Sequence, residues 1–448
     1  MRDLTGLIKA YDIRGTVPDQ LDADLAREIG AAFAHITGTD KITIGQDMRQ
    51  SSPELANAFA AGANSRGSDV TLIGLASTDL LYFASGTLDV PGAMITASHN
   101  PAGYNGIKLC RAGAAPVGQD TGLAEIRDLL ESGLPAYDGP SGTTRTEDML
   151  QPYADYLHTL VDLTGGRPLR IVVDAGNGMA GHTAPAVLTH PSFEIVPLYF
   201  ELDGTFPNHE TNPLEPANLV DLCAAVREHQ ADIGLAFDGD ADRCFFVDEH
   251  GDPVSPSAII GLIATRELER HPGSAIVYNV ITSKAAAEIV SEHGGTPVRA
   301  RVGHSFIKGV MAEQNAVFGG EHSGHYYFRE FWRADTGMLA ALHVLAALGE
   351  TEEPLSTLSA RYVRYAASGE INRTITDVPA TLSRVEAHFT SGGATADRLD
   401  GLTITLPDGA WFNLRPSNTE PLLRLNVEAP DEPSMTHVRD AVLALLGA

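Results

Sequence analysis

The chain has 448 residues, a formal net charge of −27, and a composition that is 43% hydrophobic and 20% charged. That length exceeds what one hydrophobic core serves and predicts about three domains, while the apolar content excludes disorder. The acidic balance repels nucleic acid and anionic membrane surfaces; a small phosphorylated substrate is still compatible with it but would need local cations, because distant charge is screened within about 8 Å at physiological salt.

No stretch approaches the ~18 apolar residues of a membrane span, and the N-terminal MRDLTGLIKAYDIRG lacks an apolar leader. Cys110, Cys223 and Cys244 are odd in number and have no CxxC spacing. This argues against a disulfide scaffold or a zinc site and fits a reducing cytoplasm.

In chain order, the first informative unit is the apolar strand GAMITA, which runs into Ser98-His99-Asn100-Pro101. A Ser98–His99 nucleophile pair is disfavoured, because neighbours on an extended chain point apart and no GxSxG elbow is present. A phosphoryl carrier fits better. Such a serine needs exposure, a metal that withdraws charge and polar donors around its oxygens. On its own the segment also reads as an Asn-Pro loop.

The strand LRIVVD leads into Gly176-Asn177-Gly178-Met179-Ala180-Gly181, a GxGxxG match with Glu201 beyond it. Nothing nearby supplies a hydride-transfer site. The glycines therefore read as a tight strand-to-helix turn and not as a dinucleotide fingerprint.

The strand ADIGLAF delivers Asp238, Asp240 and Asp242 within the loop DGDADR. Three carboxylates in so short a loop repel one another unless a cation offsets them, and all-oxygen ligands suit a hard ion such as Mg²⁺. An EF-hand is excluded, since Arg243 stands where its sharp turn wants glycine and strands replace its helices. The plain alternative is a solvated acidic turn.

A third strand, AVFGG, runs into Glu321-His322-Ser323-Gly324-His325. His304 and His325 stand in glycine-bordered loops open to a ligand, whereas His35, His158 and His343 lie in apolar helical patterns and are expected to be partly buried. Residues 338–348 are too short to span a membrane and predict a buried helix. In the tail, 402–406 and 411–414 read as strands around Pro407-Asp408-Gly409, followed by a strand to Val427 and a helix over 432–446. Arg415-Pro416-Ser417-Asn418-Thr419-Glu420, between two of these strands, is either a phosphate grip or a simple turn.

The pattern predicts an α/β fold, three similar mixed α/β domains plus a C-terminal α+β domain around a central cleft. Boundaries fall at 1–150 (serine loop), 151–255 (acidic loop), 256–365 (the 321–325 loop) and 366–448 (the 415–420 loop).

These residues resemble a known family from end to end, the α-D-phosphohexomutases, and within it the bacterial phosphomannomutase/phosphoglucomutase branch. The matching motifs are AYDIRG (10–15), TASHNP (96–101), GYNGIK (103–108), FPNH (206–209), DGDADR (238–243), VGHSFIK (302–308), GEHSGH (320–325) and RPSNTEP (415–421). The resemblance implies a phosphoserine at Ser98, with Mg²⁺ held by Asp238, Asp240, Asp242 and a phosphoserine oxygen. Arg14, Lys108 and Arg243 would stand beside the transferring group, and Lys108 and His304 would manage the proton. Glu321, Ser323 and His325 would hold the sugar. Arg415, Ser417, Asn418 and Thr419 would bind the other phosphate, with His304 and Tyr11 helping.

The implied reaction interconverts hexose 6-phosphate and hexose 1-phosphate through a hexose 1,6-bisphosphate, which also serves as activator. His322 stands where many dual-specificity members carry methionine, and Tyr326-Tyr327-Phe328-Arg329 resembles dedicated phosphomannomutases. Mannose is therefore favoured, glucose follows, and glucosamine is the runner-up. Two other classes remain open: a metal-dependent sugar phosphatase using the same aspartates, and a silent phosphosugar sensor. A monomer and a homodimer are equally compatible with the sequence.

Overall fold

The computed structural model describes residues 4, 6–9, 11–416 and 422–447. They form two compact units, one of residues up to Ile259 together with Ser323–Ser359, the other of Ile260–His322 together with residues from Ala360 on.

In the first unit, a sheet runs in the order Ile13–Thr16, Tyr104–Arg111, Gly92–Ile95, Lys41–Gln46, Asp69–Leu75, Thr144–Thr146, with Ala115–Pro116 paired to Tyr104–Arg111. The last four strands of that order are parallel, whereas Tyr104–Arg111 is antiparallel to both of its main neighbours. Asp22 and Ser77 cap the helices Ala23–Thr37 and Thr78–Leu88, each accepting from a backbone N–H one turn in.

A second sheet has the order Pro253–Val254, Cys244–Val247, Ile233–Phe237, Leu169–Asp174, Phe193–Leu198; its last three strands are parallel. Every residue of the helix Gly337–Gly349 is buried. Each of its leucines contributes about 1.5–3 kcal/mol relative to exposure. That explains a long apolar run without a membrane, and no described helix is long and apolar enough to cross one.

In the second unit, Thr296–Ala300, Ala275–Asn279 and Phe318–Gly320 are parallel. An antiparallel sheet follows in the order Ala366–Thr374, Leu422–Ala429, Trp411–Pro416, Leu402–Thr405, Thr395–Asp397, with the helices Val378–Ser391 and Glu432–Leu446 packed on its core. The tail strands and last helix fall where the sequence predicts them. The strand Ala366–Thr374 and the helix Val378–Ser391 were not anticipated: the strand is mostly exposed, and the helix buries only Thr381, Leu382 and Val385. Three α/β sheets and one α+β domain match the expected fold class. His343 is buried and His158 half-buried, but His35 is exposed near the end of its helix.

Candidate active site

The fully buried strand Gly92–Ile95 carries the chain to Ser98, which has a positive φ of 52°. Its backbone N–H donates to Thr96 Oγ1 at 2.9 Å, and its hydroxyl donates to Asp238 Oδ2 at 2.9 Å. Two sequence expectations need correction. Ser98 is only 4% exposed, because the acidic loop packs directly upon it. His99 Nδ1 also lies 3.2 Å from the Ser98 hydroxyl, since the left-handed turn at Ser98 cancels the alternation that would separate neighbours.

The acidic loop joins the antiparallel strands Ile233–Phe237 and Cys244–Val247, so all three aspartates project from one tight connection. They are no more than 1% exposed. Lys108, on Tyr104–Arg111, places Nζ 2.7 Å from Asp240 Oδ2 and 2.6 Å from Asp242 Oδ2. Arg243 Nε and Nη2 meet Asp238 Oδ2 at 2.9 and 2.8 Å, and Nη2 donates to His99 Nδ1 at 2.6 Å. The first turn of the helix Thr78–Leu88 serves Asp240 twice: the Thr78 hydroxyl donates to its carboxylate at 2.6 Å and the Thr78 N–H to its carbonyl at 2.9 Å. Arg14, paired with Asp12, donates to Asn100 Oδ1 at 2.5 Å. His325 Nε2 is 4.0 Å from Asp242 Oδ1.

Burial pushes the Asp238 carboxyl up to about 7 against the pull of Arg243, with Asp242 and Asp240 adding to the rise. Burial also opposes charge on Asp240, but the Lys108 ammonium and the Thr78 hydroxyl hold its carboxyl well below the usual range. For Lys108, burial is outweighed by Asp240, Asp242 and Asp238, so its ammonium is held protonated. Burial and the charges of Arg243 and Arg14 push His99 far down, leaving a neutral imidazole. The Oδ1 atoms of Asp240 and Asp242 are buried with no hydrogen-bond partner among the described residues, and one oxygen from each of the three aspartates lies within 4.8 Å of the others. Orphaned oxygens on two of three clustered carboxylates fit a hard divalent cation.

The second unit arranges the remaining predicted residues. Glu321, 2% exposed, follows Phe318–Gly320; its Oε2 accepts from Asn279 Nδ2 at 3.1 Å and from the Gly303 N–H at 2.9 Å. The Val302 N–H donates to Asp400 Oδ2 at 2.9 Å, so the turn before His304 is held from two sides. His304 opens the helix His304–Gln314. Arg415 is the next-to-last residue of the strand Trp411–Pro416 at 8% exposure, its Nε buried without a hydrogen-bond partner among the described residues. Tyr11 and Ser323 are half-buried. Ser417, Asn418 and Thr419 lie outside the described residues.

Compared with known families, residues 5–135, 151–251, 255–365 and 370–445 match the phosphoglucomutase/phosphomannomutase alpha/beta/alpha domains I, II and III and the C-terminal domain. The chain belongs to the phosphoglucomutase/phosphomannomutase family. It is 42% identical to the phosphohexose mutases of Xanthomonas campestris, over 96% of each chain, and 41% identical to a phosphomannomutase of Escherichia coli, over 98% of each. The crystal structure of a phosphoglucomutase/phosphomannomutase family protein from Burkholderia thailandensis superposes with a TM-score of 0.90 at 32% identity, covering 98% of this chain and 97% of that one. The chain is a phosphohexomutase, an intramolecular phosphotransferase.

Within this mutase, Ser98, Arg14, Lys108, Asp238, Asp240, Asp242, Arg243 and His325 are brought together in the first unit, while Glu321, His304 and Arg415 stand in the second. Sequence reasoning missed Thr78, although Ser77 ahead of an apolar run is a helix-start signal. It also missed Arg49, whose partners at the serine loop are backbone carbonyls that leave no trace in residue type. The GxGxxG segment is a structural turn, as expected. The Met179 N–H donates to the Gly239 carbonyl at 2.9 Å, and a Cβ at Gly178 would come within 2.8 Å of that same oxygen, so the turn buttresses the acidic loop.

Proposed function

We propose that this mutase interconverts hexose 6-phosphate and hexose 1-phosphate, with mannose preferred over glucose, through a phosphorylated Ser98 and a hexose 1,6-bisphosphate. The carrying observation is the Ser98 hydroxyl, 2.9 Å from Asp238 in a loop whose aspartates Asp240 and Asp242 both bind Lys108. Asp238, Asp240 and Asp242, with an oxygen of phosphorylated Ser98, are assigned to Mg²⁺. When bound, the cation offsets the carboxylates' charge and draws electron density from the phosphoryl oxygens.

In the forward step the P–O bond to Ser98 breaks as a P–O bond to the sugar hydroxyl forms, and the hydroxyl proton leaves. His304 is assigned to that proton. Lys108, the second group assigned to the proton, stands as an ammonium that offsets charge on the serine oxygen left behind as that oxygen takes up a proton. Arg14 and Arg243 offset charge on the transferring group. The bisphosphate then turns end for end, and its other phosphate returns to Ser98. Glu321, Ser323 and His325 hold the sugar, and Arg415, Ser417, Asn418 and Thr419, aided by Tyr11, grip the phosphate that is not moving. Relatives named phosphomannomutases support the mannose preference. The four domains are assigned as 1–150, 151–255, 256–365 and 366–448.

The test is a coupled assay on mannose, glucose and glucosamine phosphates, with and without glucose 1,6-bisphosphate, beside intact-mass measurement of wild type and Ser98→Ala. Stimulation by bisphosphate, fastest turnover with mannose, and one phosphate on wild type but none on an inactive Ser98→Ala are expected. Undiminished mutase turnover by Ser98→Ala, or release of inorganic phosphate as the main product, sinks the proposal.

A further inference from the structure

Behind the serine loop lies a second arginine that belongs to none of the groups assigned to substrate. Arg49 is 2% exposed, and each of its five guanidinium N–H groups has an acceptor. Nε donates to Asp47 Oδ2 at 3.1 Å. Nη1 donates to the carbonyls of Pro101 at 2.9 Å and Tyr104 at 3.0 Å, and Nη2 to those of Ser98 at 2.9 Å and Asn100 at 2.6 Å.

One side chain thus ties down four carbonyls within the seven-residue span 98–104. The rest of the cradle is equally fixed. Asp47 Oδ1 accepts from the Arg49 N–H at 3.0 Å and from the Ser52 hydroxyl, and Asn105 Nδ2 donates to the hydroxyls of Ser51 and Ser52 at 2.8 and 2.9 Å. The guanidinium carbon also sits 5.0 Å from the centroid of the Phe206 ring.

With every donor engaged, Arg49 has none left for a phosphate. Its effect must pass through the loop. Ser98 adopts a left-handed conformation that a serine does not choose by itself, and such conformations persist only where surrounding contacts over-determine them. That turn aims the hydroxyl at Asp238.

We propose that Arg49 is a positioning residue for phosphoryl transfer: by binding the carbonyls of Ser98, Asn100, Pro101 and Tyr104 it fixes the turn that holds the Ser98 oxygen in line for reaction. The inference rests on Ser98 being the phosphoryl carrier. It separates binding from chemistry, since Arg49 has no donor left for the substrate.

Arg49→Lys keeps the charge but replaces a planar five-donor fork with a three-donor ammonium that cannot span four carbonyls. Its kcat should fall by about tenfold to a hundredfold, as expected for a displaced reacting atom, with KM for the hexose phosphate within about twofold of wild type. The single-turnover rate of Ser98 phosphorylation by glucose 1,6-bisphosphate should fall in parallel, in protein shown by circular dichroism to be folded. Ser52→Ala removes one hydrogen bond to Asp47 while keeping both members of the buried ion pair, and should give a smaller loss of kcat at unchanged KM; it decides the matter if Arg49→Lys does not fold. Wild-type transfer rates in folded Arg49→Lys, with phosphate present on wild-type Ser98, overturn the positioning role alone. Absence of phosphate from wild-type Ser98 during turnover overturns the carrier assignment and this inference with it.

Discussion

Gly239 and Ser98 meet backbone to backbone: a Cβ on residue 239 would stand 2.5 Å from the Ser98 carbonyl oxygen and 3.1 Å from Thr211 Oγ1. The acidic loop therefore touches the serine loop through main chain as well as through Asp238. The two can approach only because one position lacks a side chain.

Gly239→Ala should accordingly push the two loops apart. Overpacking against backbone costs about 1–3 kcal/mol, and the displacement falls where the reaction needs alignment. A kcat loss of about tenfold or more is expected, with a lower melting temperature. Steady-state kinetics and thermal unfolding check both, and wild-type kcat in Gly239→Ala would show that the loops tolerate separation.

Removal of the metal gives an independent test of the acidic loop. Asp240→Asn replaces a carboxylate that Lys108 and Thr78 hold ionised, so the variant should bind Mg²⁺ more weakly and need more of it for half-maximal activity. EDTA should abolish wild-type turnover and Mg²⁺ should restore it. Magnesium titrations of both proteins, read by activity and by calorimetry, provide the measurement; full turnover in exhaustive chelator contradicts the assignment.

How much of this site the sequence discloses depends on how far apart its parts lie along the chain. Asp238, Asp240 and Asp242 come from one loop after one buried strand, so their convergence is local and legible. The approach of Ser98 to that loop became legible only through the motif order of a whole family. The positive φ of Ser98 was illegible, because a serine there gives no glycine-like signal, and with it went the nearness of His99. Arg49 was illegible for a different reason: four of its five acceptors are carbonyls, which every residue carries. The strand Ala366–Thr374 was lost because no apolar alternation marks it.

His209 should make stability pH-dependent. Its Nε2 lies 3.0 and 3.2 Å from the two oxygens of Asp174. Burial opposes its charge, but the hydrogen bond and the attraction of Asp174 prevail and raise the imidazole above its ordinary value. A raised folded value means the folded state holds the proton more tightly. The stabilisation is therefore fully present below the unfolded value of about 6.5 and is lost as pH rises through the folded one. Relative to His209→Gln, the melting-temperature advantage of wild type should be larger near about pH 6 than near about pH 8.5. Equal advantages at both values would remove the ion pair as the cause.

The last prediction concerns Arg415, which in the proposed reading grips the phosphate that is not being transferred. Its guanidinium is largely buried, and its Nε has no hydrogen-bond partner among the described residues, so a donor is available near the end of the strand Trp411–Pro416. Burial pulls its affinity for the proton down, with Asp400 opposing, yet an arginine remains charged at neutral pH. Arg415→Ala should lose a charge-assisted contact worth roughly 1.5–3 kcal/mol. Catalytic efficiency should then fall by about one to two powers of ten, with a rise in KM. Arg415→Lys should recover only part of this, because a point charge does not reproduce a planar fork. Phosphorylation of Ser98 by a bisphosphate should still occur, though more slowly, since Ser98, Lys108 and the aspartates are untouched. Kinetics and phosphoserine mass measurement on the same preparation separate these effects. Unchanged KM and efficiency in Arg415→Ala would place the phosphate grip elsewhere, whereas abolished Ser98 phosphorylation together with normal KM would move Arg415 from binding into the transfer step itself.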